Sequence, residues 1–253
     1  MNKRTTTSFG PRRRRGERQR TLDEARTASG RGGWRPGAGR KPTGNRVGPE
    51  HRQRVELDPR HPLHVTLRAT AAVGRLRKRH AYQAARAALM KQLGRDDFRV
   101  VHVSIQHNHV HLIVEAADRH ALARGVQGLC IAMARRLNRR LGRTGAVFAH
   151  RYDARPITSP RQARQCVSYV LNNWRRHRED WRTPEARRTA VDPYSSAPQF
   201  EGWEELTPSQ ARALLPREYE PLPTRRATTW LMTTGWKRHG AIRTGERPGP
   251  MDA

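Results

Sequence analysis

The chain has little of four things, and each shortage excludes something. Only two cysteines, Cys130 and Cys166, occur in 253 residues. They cannot build a disulfide framework or a cysteine metal site by themselves, and such usage fits a reducing, cytoplasmic setting. Acidic residues are scarce: 22 Asp and Glu stand against 51 Lys and Arg, a formal charge of +29. Such an excess calls for a polyanionic partner, with nucleic acid the default and acidic lipid the weaker option. Apolar residues make up 35% of the chain and mean hydropathy is −0.94. No apolar run is long enough to span a bilayer, and the whole length cannot form one packed core. The run Arg12-Arg13-Arg14-Arg15 is followed by no apolar stretch, so it is not read as an export signal.

The texture divides the chain in three. Residues 1–60 carry 17 Lys and Arg against 6 Asp and Glu, a net of 17 − 6 = +11, and no apolar periodicity. They read as a disordered basic arm. The Gly- and Pro-rich string at 31–42 (RGGWRPGAGRKP) resembles a minor-groove hook, and a solvated tail with non-specific phosphate affinity is the plainer alternative. Residues 61–181 hold regular periodicity. His64-Val65-Thr66-Leu67-Arg68 alternates as a half-buried strand, and residues 76–93 suit a helix. Residues 98–105 and 109–115 form two β-rich runs around the break Gln106-His107-Asn108, an antiparallel hairpin. Asp118 is placed to cap a helix over residues 119–141, with Gly142 as its stop. Residues 146–157 read as one or two strands. Ser159-Pro160 then opens a helix to about residue 177. The order β-α-β-β-α-β-α predicts an α+β, ferredoxin-like sandwich. Residues 182–253 are rich in Pro and Trp, with short helix candidates at 209–215 and 228–239. They read as a wrapped extension of unknown role.

The chemistry centres on His109-Val110-His111. Side chains alternate along a strand, so both imidazoles share one face while Val110, Leu112 and Val114 take the other. Two histidines side by side suit a divalent first-row ion. On the last core helix Tyr169 and Asn173 are four residues apart, about 40° on a helical wheel. They border the apolar stripe, so a helix packed on the sheet would aim both at the histidines. Asn173 would then offer an amide oxygen to the ion, and Tyr169 a phenolate nucleophile. Taken singly, each residue also has an ordinary explanation: a chance His-x-His, an amphipathic tyrosine, a solvent-facing asparagine.

The string Asn108-His109-Val110-His111-Leu112-Ile113 resembles the HUH motif of the single-tyrosine transposases. Tyr169-Val170-Leu171-Asn172-Asn173 resembles their nucleophile helix, and His64–Arg68 their first strand. The branch it is most similar to is the REP-associated tyrosine transposases, relatives of the short insertion-sequence enzymes. That resemblance implies a metal-dependent (Mg²⁺ or Mn²⁺) strand transferase that cleaves and rejoins single-stranded DNA near a hairpin through a 5′-phosphotyrosine. It makes Tyr169 the nucleophile and His109, His111 and Asn173 the metal ligands. A phenol with a pKa of about 10 needs activation near neutral pH, which a metal and cationic surroundings would supply. Two departures stand out: His107 replaces an expected proline, and Asn173 replaces the commoner, longer glutamine.

Other residues compete for roles. Tyr152 is a rival nucleophile, more simply a packing or DNA-facing residue. Glu115 shares the histidine face as an outer acid or as strand-end polarity. Arg135, Arg136, Arg139 and Arg140 form a basic helix face, either solvated or a phosphate track. Trp230 and Trp236 suit base stacking or, more simply, packing. A non-catalytic basic DNA binder is the alternative to the enzyme. An RNA-recognition module is disfavoured, because the strands lack a stacking platform and aromatics are only 6% of residues. A cytoplasmic, nucleoid-associated protein without a membrane partner is expected, and a homodimer is left open.

Overall fold

The computed structural model describes residues 57–249. Most of the basic arm, including the string at 31–42, lies outside the described residues. The elements follow the expected order: β1 (Leu63–Arg68), α1 (Arg79–Met90), β2 (Phe98–Ile105), β3 (His109–Ala116), α2 (Arg119–Arg140), β4 (Asp153–Pro156) and α3 (Pro160–Arg176). The strands form one antiparallel sheet in the order β2-β3-β1-β4. This is the ferredoxin-like α+β arrangement, with two central strands, β3 and β1, and α3 appended.

Alternation on β3 decides what each face does. Val110, Leu112, Val114 and Ala116 join Leu63, Val65 and Leu67 of β1 in a core under α1 and α2. Ile113, from the other set, packs instead with Cys166, Val167, Val170 and Leu171 of α3. The sheet is thus covered on both sides, by α1 and α2 on one face and by α3 on the other. A β-bulge at Val101 shifts the register between Val100 and His102. It turns His102 onto the α3 side, where its ring meets Phe200 edge-on at 5.5 Å.

Local sequence explains the helix ends. Asp118 accepts backbone N–H bonds from His120 and Ala121, each 2.7 Å, at the start of α2. Gly142 follows that helix at φ +59°, where a Cβ would be strained. Ser159 caps α3 through Gln162 N at 3.2 Å, with Pro160 in the first turn. Helix α1 starts later than its pattern predicts, because Leu76 is drawn into the core and donates its N–H to His107 O at 2.7 Å. The 146–157 segment supplies only the four-residue β4 and a single bridge from Phe148 to Ala69.

The extension covers what the core leaves open. Its regular pieces are short: α4 (Pro184–Arg188), α5 (Pro208–Ala213), α6 (Trp230–Thr233) and 3₁₀ turns at Ala197–Gln199 and Gly235–His239. Tyr194 O and Ser196 N bond Ile105 N and Val103 O, both at 2.8 Å, along the outer edge of β2. Pairing this edge removes a template for aggregation. Buried Arg77 grips buried Asp192 with two bonds of 2.8 and 2.9 Å. Trp203, Trp236 and Ile242 complete the apolar layer over α3.

Gly125 gives a test of this packing. A Cβ there would lie 2.3 Å from the Phe98 ring, which is fully buried. Gly125→Ala is expected to destabilise by about 1–3 kcal/mol through overpacking, despite alanine's better helix propensity. A urea midpoint at or above that of the parent protein would show that α2 is not seated on Phe98.

Candidate active site

Three strands floor the site side by side. Thr66 on β1, His111 on β3 and Ser104 on β2 are register partners, with Arg68 beside His109. His64 lies diagonally from His111, on the same face.

Hydrogen bonding sets the histidine tautomers. His109 Nδ1 lies 2.8 Å from Asn108 Oδ1, so it carries the proton and Nε2 keeps the lone pair. His111 Nδ1 lies 3.0 Å from His64 Nε2 and 3.3 Å from Thr66 Oγ1. His111 Nε2 is buried with no hydrogen-bond partner. An orphaned N–H is the costlier way to fill that position. The favoured tautomer therefore donates from Nδ1 to His64 and leaves a bare lone pair at Nε2. Outer partners that fix Nδ1 and free Nε2 are what ligating imidazoles need.

Electrostatics holds these rings neutral. Burial, then the nearby His177, pushes His109 down to about 4. Burial, then His64 and His109, pushes His111 well below the ordinary histidine range. Burial also lowers His64 to about 4. Neutral imidazole is the ligand form.

Helix α3 closes the site from above. The Tyr169 ring stands edge-on to His111 at 5.2 Å and to His64 at 5.8 Å between centroids. Two turns on, the His177 ring stands 5.6 Å from His109. Asn173 lies midway between them on the same helical face. It is fully buried, and neither Oδ1 nor Nδ2 has a hydrogen-bond partner. The Arg176 guanidinium carbon lies 5.8 Å from the Tyr169 ring centroid. The fold thus brings a phenol, two neutral imidazoles and an unsatisfied carboxamide onto one face.

The IS200-like transposase family model matches residues 60–173, which include all four of these side chains. Over these residues the chain resembles the IS200-like transposases. No curated protein sequence matches the chain. Among solved structures, the chain is similar to a REP-associated tyrosine transposase bound to a REP hairpin, at 14% identity and a TM-score of 0.46. That match covers 71% of this chain and 99% of the other.

Some sequence candidates fall outside the site. Helix α2, which carries Arg135, Arg136, Arg139 and Arg140, packs on the sheet face opposite the histidines. Tyr152 also packs against that opposite core, away from Tyr169. Glu115 is buried and receives the N–H and hydroxyl groups of Thr228 and Thr229 at 2.7–3.1 Å, so it anchors the extension. Trp236 is buried against α3, and half-exposed Trp230 is covered by Arg238, 4.9 Å away. His107 points outward, 3.5 Å from Arg75.

Two residues at the site were not singled out by sequence. His64 was legible as lying two and four residues before Thr66 and Arg68 on an alternating strand, and so on the same face. His177 was legible as the next step of the four-residue spacing Tyr169–Asn173–His177. Among the described residues, no group of three or more His, Cys, Asp or Glu side chains is arranged to hold a metal. An ion held here would have to draw on a mixed donor set, such as two imidazole nitrogens plus an amide oxygen. The unpartnered His111 Nε2 and Asn173 Oδ1 are consistent with it.

Two outcomes follow from these buried groups. His64, His102 and His109 sit at about 4 when folded, against 6.5 in free histidine. Unfolded chains take up protons first, so stability is expected to hold above about pH 6.5 and fall as pH drops toward about 4. A urea midpoint that stays flat across that window would contradict this burial. Asn173→Leu removes an unsatisfied amide and is expected to stabilise the metal-free protein by about 1 kcal/mol. A loss of similar size in a denaturant titration would mean the amide has a partner.

Proposed function

We propose that this chain is a transposase, a metal-dependent DNA strand transferase acting on single-stranded DNA next to a hairpin. The catalytic unit is residues 61–181, flanked by the basic arm 1–60 and the extension 182–253, in a cytoplasmic, nucleoid-associated setting. The observation that carries the reading is the seating of the Tyr169 ring 5.2 Å from His111, whose Nε2 is buried and unpartnered. The formal charge of +29 supports a DNA partner.

The roles follow from the chemistry of each side chain. Tyr169 Oη attacks the scissile phosphorus and loses its proton. The O–P bond to tyrosine forms, the P–O3′ bond breaks, and the departing 3′ oxygen takes up a proton. One strand end is then held as a 5′-phosphotyrosine and the other is a free 3′-hydroxyl. One phosphodiester is exchanged for another phosphate ester, so the step reverses without an energy source. His109, His111 and Asn173 would hold Mg²⁺ or Mn²⁺, which would polarise a phosphate oxygen and stabilise charge during in-line displacement. His64 and Asn108 fix the ring orientations, and α3 keeps the phenol over them. Arg135, Arg136, Arg139 and Arg140, across the sheet, would hold phosphates of the duplex part rather than of the cleaved strand.

Incubation with single-stranded hairpin oligonucleotides and Mg²⁺ or Mn²⁺ is expected to give a protein–DNA conjugate on a denaturing gel. Tyr169→Phe should abolish it with little change in binding. His109→Ala or His111→Ala should slow its formation by about 100-fold or more, the loss of a few kcal/mol of charge stabilisation. A conjugate that survives in Tyr169→Phe would move the nucleophile elsewhere. Tight binding with no conjugate under either metal would leave a non-catalytic basic binder.

A further inference from the structure

The extension builds one wall of a cleft that opens onto Tyr169. The cleft holds about 400 Å³, within the range of ligand-sized sites. Its first wall is the start of α3, with Arg161, Gln165 and Tyr169. Its second is residues 239–249, with His239 and Arg247. The second wall lies wholly outside the segment 60–173 that matches the transposase family.

The walls are tied together. Ser168 Oγ donates to Glu246 at 2.7 Å, and Arg164 bonds the same carboxylate at 2.8 Å. Asn172 Nδ2 donates to Arg243 O at 2.9 Å, and Arg175 Nε to Thr244 O at 2.6 Å. These four side chains recur at helical spacing along α3, so the strap follows one stripe beside Tyr169. Glu246 is neutralised by Arg164. Arg161 and Arg247 are exposed, and among the described residues neither pairs with a carboxylate. The cleft is therefore cationic from both sides, with its one acid spent on holding the walls.

We propose that this cleft is the track for the sugar–phosphate backbone of the single strand that reaches Tyr169, with Arg161 and Arg247 as phosphate contacts. His239 and Gln165 add donors between them. Arginines on both walls of a groove, neither paired with a carboxylate, suit a flexible polyanion threaded between them. This inference rests on reading Tyr169 as the nucleophile, and it assigns a substrate-binding task to the extension.

The test uses the full chain carrying Tyr169→Phe, so that the probe is not cleaved. Two fluorescent DNA hairpins are compared by anisotropy across a salt series, one blunt and one with a single-stranded tail. Arg161→Gln and Arg247→Gln are each expected to weaken binding of the tailed hairpin by about three- to tenfold. Each should lower the slope of log affinity against log salt by about 0.7, the share of one phosphate contact on a single strand. The blunt hairpin should be unaffected, as should both probes with Arg217→Gln, an exposed arginine outside the cleft. Unchanged affinity and slope for the tailed probe would overturn the track, and so would equal losses for both probes. Failure of the nucleophile reading shows separately, as a conjugate that persists in Tyr169→Phe.

Discussion

Everything at the site depends on the two-residue alternation of β3 in the middle of the sheet. One set of its side chains, Val110, Leu112 and Val114, is buried under α1 and α2. The other set, His109, His111, Ile113 and Glu115, faces α3 and the extension. A slip of one residue would drive imidazoles into the apolar core and turn the valines outward. The register resists this from both sides, since β1 pairs along β3 from Leu63 to Arg68 and β2 pairs along its other edge. Ile113 contributes separately, because it fastens α3 to the histidine face and so fixes the height of Tyr169 above the rings.

The cost of the site is concentrated in unsatisfied polar atoms. His111 Nε2, both Asn173 amide atoms and Gln106 Oε1 are buried without hydrogen-bond partners. Each such group is worth about 1–3 kcal/mol of lost solvation. A structure optimised for stability alone would place apolar groups here. Local conflicts of this kind gather where a ligand is to be bound. Surrounding interactions offset them, notably the apolar layer of Val167, Val170, Leu171 and Trp236 and the buried Arg77–Asp192 pair. The rings stay neutral because burial and mutual repulsion both oppose their protonation.

Legibility in the sequence followed the range of the interactions. Alternation placed His109 and His111 on one face, and helical spacing placed Tyr169 and Asn173 on another. Asp118, Gly142 and Ser159 marked helix ends, because a cap is decided within a few residues. Long-range partners were not legible. Nothing in Val114-Glu115-Ala116 indicates that the carboxylate will cap Thr228 and Thr229, more than 110 positions away. The arginines of α2 are a good basic stripe, yet which sheet face receives that stripe is a matter of topology. His64 read as an ordinary strand residue, since its importance comes from a diagonal contact across β1 and β3 rather than from its neighbours in sequence.

Topology also explains why the extension belongs to the site. Helix α3 has apolar residues toward the sheet and toward Trp236 and Met232, so it is buried from two directions. A helix held only by the sheet could rock about its apolar stripe, moving Tyr169 relative to the histidines. The strap at residues 241–246 bonds the flank of α3 at Arg164, Ser168, Asn172 and Arg175, spanning three turns. Glu115, on the strand that carries the histidines, holds Thr228 and Thr229 of the same extension. The strand and the helix that make the site are therefore both tied to one outer segment. The relative position of imidazole and phenol is set twice, directly by packing on Ile113 and indirectly through residues 228–246.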